Sequence, residues 1–170
     1  GMDFQMTLGF FTASLKKWLP RMNDYQRNQV AVSIYDSLDS MRKSGKNENM
    51  LKNAYIKFMC WLYYKFERIV SQLGDNNVPK ILYEGQISNY ELMLVSILSH
   101  AGCDVVLLQY QGDNSYRKLD PQSSRSQELA MPGLSAFPDY FNLKWIQGEL
   151  QRKQNRERLY GVLPETVNCT

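Results

Sequence analysis

The chain has a single histidine, His100, and only three cysteines, Cys60, Cys103 and Cys169, all far apart. No C-x-x-C pair and no Cys/His spacing occurs, which excludes a zinc motif or a disulfide framework as the organising device. An odd number of unpatterned thiols fits a reducing, cytoplasmic setting. Charge of one sign is lacking too. Twenty Lys and Arg stand against 17 Asp and Glu, a net charge of +3. That balance gives no strong nucleic-acid signal. The longest apolar run, Phe58-Met59-Cys60-Trp61-Leu62-Tyr63-Tyr64, falls far short of the roughly 20 residues that cross a bilayer. The start, Gly1-Met2-Asp3-Phe4, has no basic segment leading an apolar run, so neither secretory signal nor membrane partner is read. No G-x-G-x-x-G fingerprint, Asp-x-Asp motif, repeat or low-complexity tract is present.

What is there is ordinary globular material. Hydrophobic residues make up 44% and charged residues 22%, the balance of a chain that buries a core. A length of 170 residues suits one compact domain. Eleven tyrosines are expected to sit half-buried at its edges.

Apolar spacing predicts a helical segment over residues 2–77. Leu8, Phe11, Leu15 and Trp18 set a first helix within 4–19, stopped by Pro20. A second begins at Asn23 or Asp24, carries the seam Val30, Ile34, Leu38 and Met41, and ends at Gly45. The third is expected to run unbroken over 48–73 on the face Leu51, Tyr55, Phe58, Leu62, Phe66, Ile69 and Leu73. Cys60, Trp61 and Tyr64 widen that face, and Gly74 is placed to close the helix.

The second part, 78–170, opens with a strand at Lys80–Tyr83. Ser88 and Glu91 then write a capping box, with Ile87 and Leu92 at the staple positions. The helix that follows carries Leu92 to Ala101 and stops at Gly102. Val105–Leu108 is a continuous apolar run, as expected of a strand covered on both faces. Strand, capped helix and strand form one right-handed βαβ unit with parallel strands. The fold class is therefore α/β: a helical N-terminal half packed on a small parallel sheet, a Rossmann-like fragment. Residues 111–136 read mostly as loop. A last helix is expected from about Asp139, with Leu143, Ile146 and Leu150 inward, and Arg158–Leu163 as a short strand or tail. Two parallel strands alone make a poor core, so either further strands lie in the N-terminal or C-terminal segments, or helices cover the sheet edges, or the chain is one domain of a longer protein, the reading slightly preferred.

Several segments resemble the bacterial YceG-like family: Tyr55-Ile56-Lys57-Phe58-Met59-Cys60-Trp61-Leu62, Val78-Pro79-Lys80-Ile81-Leu82-Tyr83-Glu84-Gly85, Tyr90 through Leu98, Ala101 through Leu108, and Ala136-Phe137-Pro138. The resemblance spans about residues 50–140. It implies a component of a biosynthetic module linked to tellurite-resistance and stress-response gene clusters, with partners among the proteins of the same cluster. Members tend to be longer and to carry Asn-Pro after the second strand, where this chain has Gln109-Tyr110-Gln111-Gly112. No catalytic residues and no cofactor carry over.

In open α/β sheets ligands bind beyond the carboxyl ends of the strands. The candidate ligand residues are therefore Glu84, Gly85 and Gln86 after the first strand, and Gln111, Gly112 and Asp113 after the second. A sugar- or nucleotide-like ligand is expected there. A bare phosphate is disfavoured, because Ser88 and Glu91 occupy the helix amides and Glu84 adds negative charge. A structural turn is the plainer reading of both loops. His100 and Cys103 are a conceivable nucleophile pair without an orienting third group. Asp104 and Asp120 read as solvated surface, and so do the basic residues Lys144, Arg152, Lys153, Arg156 and Arg158. Two other functions fit: a non-catalytic interaction module, and a glycosyltransferase-like enzyme.

Overall fold

The computed structural model describes residues 4–74, 76–109, 111–129, 133 and 142–159. The chain divides into two compact units. One is Gly1–Tyr83 with Ile87–Leu107, and the other is Glu84–Gln86 with Leu108–Thr170.

In the first unit, α1 (Leu8–Trp18) starts at Thr7, whose hydroxyl accepts from Phe10 N at 3.1 Å. Its buried face is Phe11, Ser14 and Leu15. Leu8 and Trp18, expected inward, are exposed, and Leu19 takes the place of Trp18 in the core. The long helix α2 (Asp24–Lys43) is capped by Asn23, and Gln26 returns the bond to complete a capping box. Val30, Ile34, Leu38 and Met41 are all buried, so the expected seam holds. Beyond it Gly45 sits at φ +88°, a conformation that other residues adopt at a cost.

The expected unbroken helix over 48–73 is interrupted. α3 (Glu48–Trp61) gives way to a π-helical stretch, Leu62–Phe66, and the helix resumes as α4 (Glu67–Val70). One extra residue in the turn shifts the inward position from Ile69 to Val70, which is fully buried while Ile69 is only half-buried. The helix ends at Ser71, not at Gly74, which instead bridges Asn77.

β1 (Lys80–Glu84), α5 (Asn89–Ala101) and β2 (Asp104–Leu108) follow in order. The two strands pair as a two-stranded sheet. Asp104 N donates to Pro79 O at 2.9 Å and Gly85 N to Leu108 O at 3.0 Å. Both partners advance together along the sequence, so the strands are parallel. α5 carries the predicted capping box of Ser88 and Glu91, and Leu92, Met93, Leu94, Val95, Ile97, Leu98 and Ala101 are all buried.

The core is built around α2, which packs against α1, α3 and α5. Ile81 and Val105 join it from the sheet. Side chains alternate across a strand, so Leu82 and Val106 face the other way, and they are 49% and 56% exposed. The expectation that the second strand is covered on both faces is therefore corrected. Its apolar run reflects β-branched preference as much as burial. Gln26 adds a tie that periodicity cannot reveal. Its buried amide donates to Ser71 O at 2.9 Å and to Leu73 O at 2.8 Å, anchoring the segment that follows α4.

In the second unit, the stretch expected as loop contains a short helix, α6 (Asn114–Leu119). α7 (Leu143–Leu159) begins at Asn142, whose side chain accepts from Trp145 N at 2.8 Å. Leu143 and Ile146 are half-buried, but Leu150, expected inward, is exposed. Arg158 and Leu159 belong to α7. The remainder of the proposed terminal strand, the Asp139 helix start, and Ala136-Phe137-Pro138 lie outside the described residues. Among the described residues no helix is long and apolar enough to cross a membrane.

Candidate functional site

Each strand ends in a glycine turn. Gly85 follows β1 at φ +91° and Gly112 follows β2 at φ +82°. Both conformations favour glycine, and a Cβ at either would meet nothing within 4 Å. The turns are thus open to solvent and conformationally specified.

Hydrogen bonds join the segments of this unit. The Gln109 carboxamide donates to Gly85 O at 2.7 Å, and the Gln86 carboxamide donates to Ser115 Oγ at 3.0 Å. Gly112 N closes its own turn on Gln109 O at 3.2 Å. The structure therefore brings Gly85 and Gln86 together with the residues flanking Gln111 and Gly112. Gln111 is exposed.

Glu84 has a different job. Its Oε2 accepts from Leu143 N at 2.7 Å, which places a carboxylate at the N-terminus of α7. Negative charge is stabilising there, so this residue clamps a helix start.

Asp113 precedes α6 without a side-chain capping bond. Burial, together with the charge and hydrogen bond of Glu128, raises its carboxyl pKa above the ordinary value, against the pull of Arg117. Arg117 itself is paired with Glu128. Beside this group lies a network that the sequence reading missed. Asp120, expected at the surface, is buried. Its carboxylate accepts from Ser124 N, Ser124 Oγ and Arg125 N, each at 2.9 Å, and from the Tyr116 hydroxyl at 2.8 Å. Burial opposes ionisation, but these bonds outweigh it and hold the pKa at about 2. Ser126 Oγ in turn donates to Tyr116 at 2.6 Å. The arrangement shapes residues 116–126 without turning any reactive atom outward. Its only signal in the sequence is the serine-rich run after Pro121.

The remaining candidates resolve plainly. Cys103 is buried, and that burial together with Asp104 pushes its thiol up to about 11. A nucleophilic cysteine needs the opposite shift. His100 is spent locally, with Nδ1 at 2.7 Å from Ser96 O. Asp104 pairs with Lys80 at 2.8 Å. Among the described residues no group of three His, Cys, Asp or Glu side chains could hold a metal ion. On α7, Arg152 pairs with Glu149, and the described basic side chains face solvent.

These features define a helix-rich α/β protein with a two-stranded parallel sheet and a pair of polar loops at one end of its strands. The sequence profile of the YceG domain matches residues 14–156. The chain therefore belongs to the YceG domain family. No curated protein and no solved structure gives a significant match.

Proposed function

We propose that this protein is a component of a bacterial biosynthetic and stress-response module linked to tellurite resistance. In this reading it binds a neutral, hydroxyl-rich ligand, a sugar or the sugar part of a nucleoside, at the loops following β1 and β2. Family membership supports the module. One observation carries the ligand: the loops are cross-linked by Gln109 and Gln86, so carboxamides and the Ser115 hydroxyl stand beside open glycine turns, with Asp113 two residues before Ser115. Carboxamides and hydroxyls are the groups that exchange hydrogen bonds with sugar hydroxyls. The carboxylates of Asp113 and Glu128 disfavour a phosphate. The finer fold reading, a right-handed Rossmann-like crossover through α5, agrees with a ligand beyond the carboxyl ends of the strands. The expected partners are proteins of the same gene cluster in the cytoplasm.

Thermal-shift titration with uridine, adenosine and methyl glucoside, alongside UDP, tests this. A neutral probe is expected to raise the melting temperature more than UDP does. Asp113→Ala and Gln86→Ala are expected to abolish the rise while changing unliganded stability by about 0.5 kcal/mol or less. A flat response to every probe at millimolar concentration would remove the ligand reading.

A second reading, a non-catalytic interaction module, has its own observation. Trp18, Tyr63 and Tyr64 are exposed aromatics around the π-helical stretch, with Tyr63 stacked edge-on against both of the others at 6.4 and 4.8 Å. Such residues are enriched at interfaces, and π-bulges recur at functional positions. Co-purification with the products of its own gene cluster, lost in Tyr64→Ser, is the expected result. The glycosyltransferase-like reading is weaker, because the sequence has no Asp-x-Asp motif.

A further inference from the structure

α7 carries a charge pattern that neither functional reading uses. It holds five of the chain's 20 Lys and Arg, namely Lys144, Arg152, Lys153, Arg156 and Arg158. It holds only two of the 17 Asp and Glu, Glu149 and Glu157. Outside α7 the two signs balance, fifteen against fifteen, so this one helix accounts for the whole net charge of +3. Such a local field attracts a polyanion even where the chain as a whole is nearly neutral.

Four of the five cations fall between Gln151 and Arg158. Every side chain in that stretch is exposed except Glu157, which is half-buried. A helical segment without apolar contacts gains little from packing and is marginal by itself. Its side-chain support is one ion pair, Arg152 with Glu149, and one hydrogen bond, from Gln151 Nε2 to Asn155 Oδ1 at 3.1 Å. Lys153, Arg156 and Arg158 have no acidic partner among the described residues.

The residues are sorted around the helix axis. At about 100° per residue, Gln151 and Asn155 lie side by side, with Arg158 on one flank and Arg152 and Arg156 on the other. Glu157 falls on the opposite side of the helix, next to Lys153. Glu149 stands at the margin of the arginine face, held by Arg152. The face therefore presents two carboxamides between guanidinium groups.

That order selects among polyanions. Cations alone would serve an acidic peptide. Carboxamides make paired bonds to base edges, and guanidinium groups bond phosphates. Residues 151–158 include no aromatic ring on which the bases of a single strand could stack. A bare helix roughly 10–12 Å across matches a B-form major groove about 12 Å wide, and not the narrow major groove of duplex RNA.

We propose that residues 151–158 of α7 are a docking surface for duplex DNA. The helix lies in the major groove, with Gln151 and Asn155 toward the base edges and Arg152, Arg156 and Arg158 on the phosphates that border it. None of the loop residues assigned to the sugar-like ligand takes part.

Fluorescence anisotropy of the whole chain with a labelled DNA duplex of about 20 base pairs tests this across a salt series from about 50 to 200 mM KCl. Saturable binding is expected, with log K falling against log salt at a slope of about −3, for three neutralised phosphates. Arg156→Gln combined with Arg158→Gln should weaken binding about tenfold or more and flatten the slope by about 2. Asn155→Ala should weaken binding with the slope unchanged, because a carboxamide displaces no counterion. Lys153→Gln, on the other side of the helix, should change affinity less than about twofold. All four positions are exposed, and an unchanged helical circular dichroism signal verifies folding. No binding at the lowest salt would overturn the proposal, and so would a Lys153→Gln loss as large as that of the double variant. A single strand or an RNA duplex that binds as tightly as the DNA duplex would overturn it too. Displacement by poly-glutamate at equal charge concentration would assign the face to an acidic protein instead.

Discussion

Asp120 shows how much one residue can do that a sequence does not announce. It reads as a surface carboxylate, yet it is buried and accepts four hydrogen bonds. Its partners at 124 and 125 come from a stretch with no periodicity, so nothing local marks them. The sign of its pH effect follows directly. Its pKa falls from 3.8 unfolded to about 2 folded, so its contribution is present above about pH 4 and is lost as pH falls toward 2. Asp120→Ala is expected to destabilise this unit by about 2–3 kcal/mol at pH 7. Hydrogen exchange at the Ser124 and Arg125 amides, faster in the variant at pH 7 than in the parent, checks it. Asp113 behaves oppositely. Its raised pKa means that its protonated form is favoured on folding, a contribution present at low pH and lost as pH rises through the folded value. Asp113→Asn is therefore expected to leave neutral-pH stability unchanged or slightly higher, as denaturant unfolding at pH 7 would report.

At the scale of elements, the N-cap of α2, the capping box of α5, and the glycine stops and apolar seams of both helices were legible because they are local and periodic. Ser88→Ala removes one half of a complete box and is expected to cost about 1 kcal/mol, measured as a lower unfolding midpoint with an unchanged m-value. The break in the third helix was not legible. Spacings of three and four residues continue smoothly through Phe58, Leu62 and Phe66, and only the burial of Val70 in place of Ile69 reveals the extra residue. α6 was missed for a different reason, since a helix of one and a half turns carries too few apolar positions to show a period. The strands were found, but their cover was misjudged. Leu82 and Val106 are exposed, so Leu82→Thr and Val106→Thr are each expected to shift stability by about 0.5 kcal/mol or less. Ile81→Thr on the same sheet, packed against the core, should cost clearly more.

At the largest scale, α2 is the organising element of the first unit, contacting α1, α3 and α5. Its central place follows from a seam four residues deep and a buried Gln26 that holds the chain beyond α4. Half of the candidate site was also readable. The glycine turns and polar residues at 84–86 and 111–113 were identifiable from the strand–helix–strand pattern. The cross-links by Gln109 and Ser115, and the diversion of Glu84 to α7, depend on contacts distant in sequence. The account turns on Gln86, Gly112 and Asp113 meeting a sugar-like ligand. Amide chemical-shift mapping during a uridine and methyl glucoside titration is the most direct measurement. The account predicts saturable shifts concentrated at Gly85, Gln86, Gly112 and Asp113, weaker with UDP. Shifts absent from those amides, or confined to α1 and α3, would contradict it.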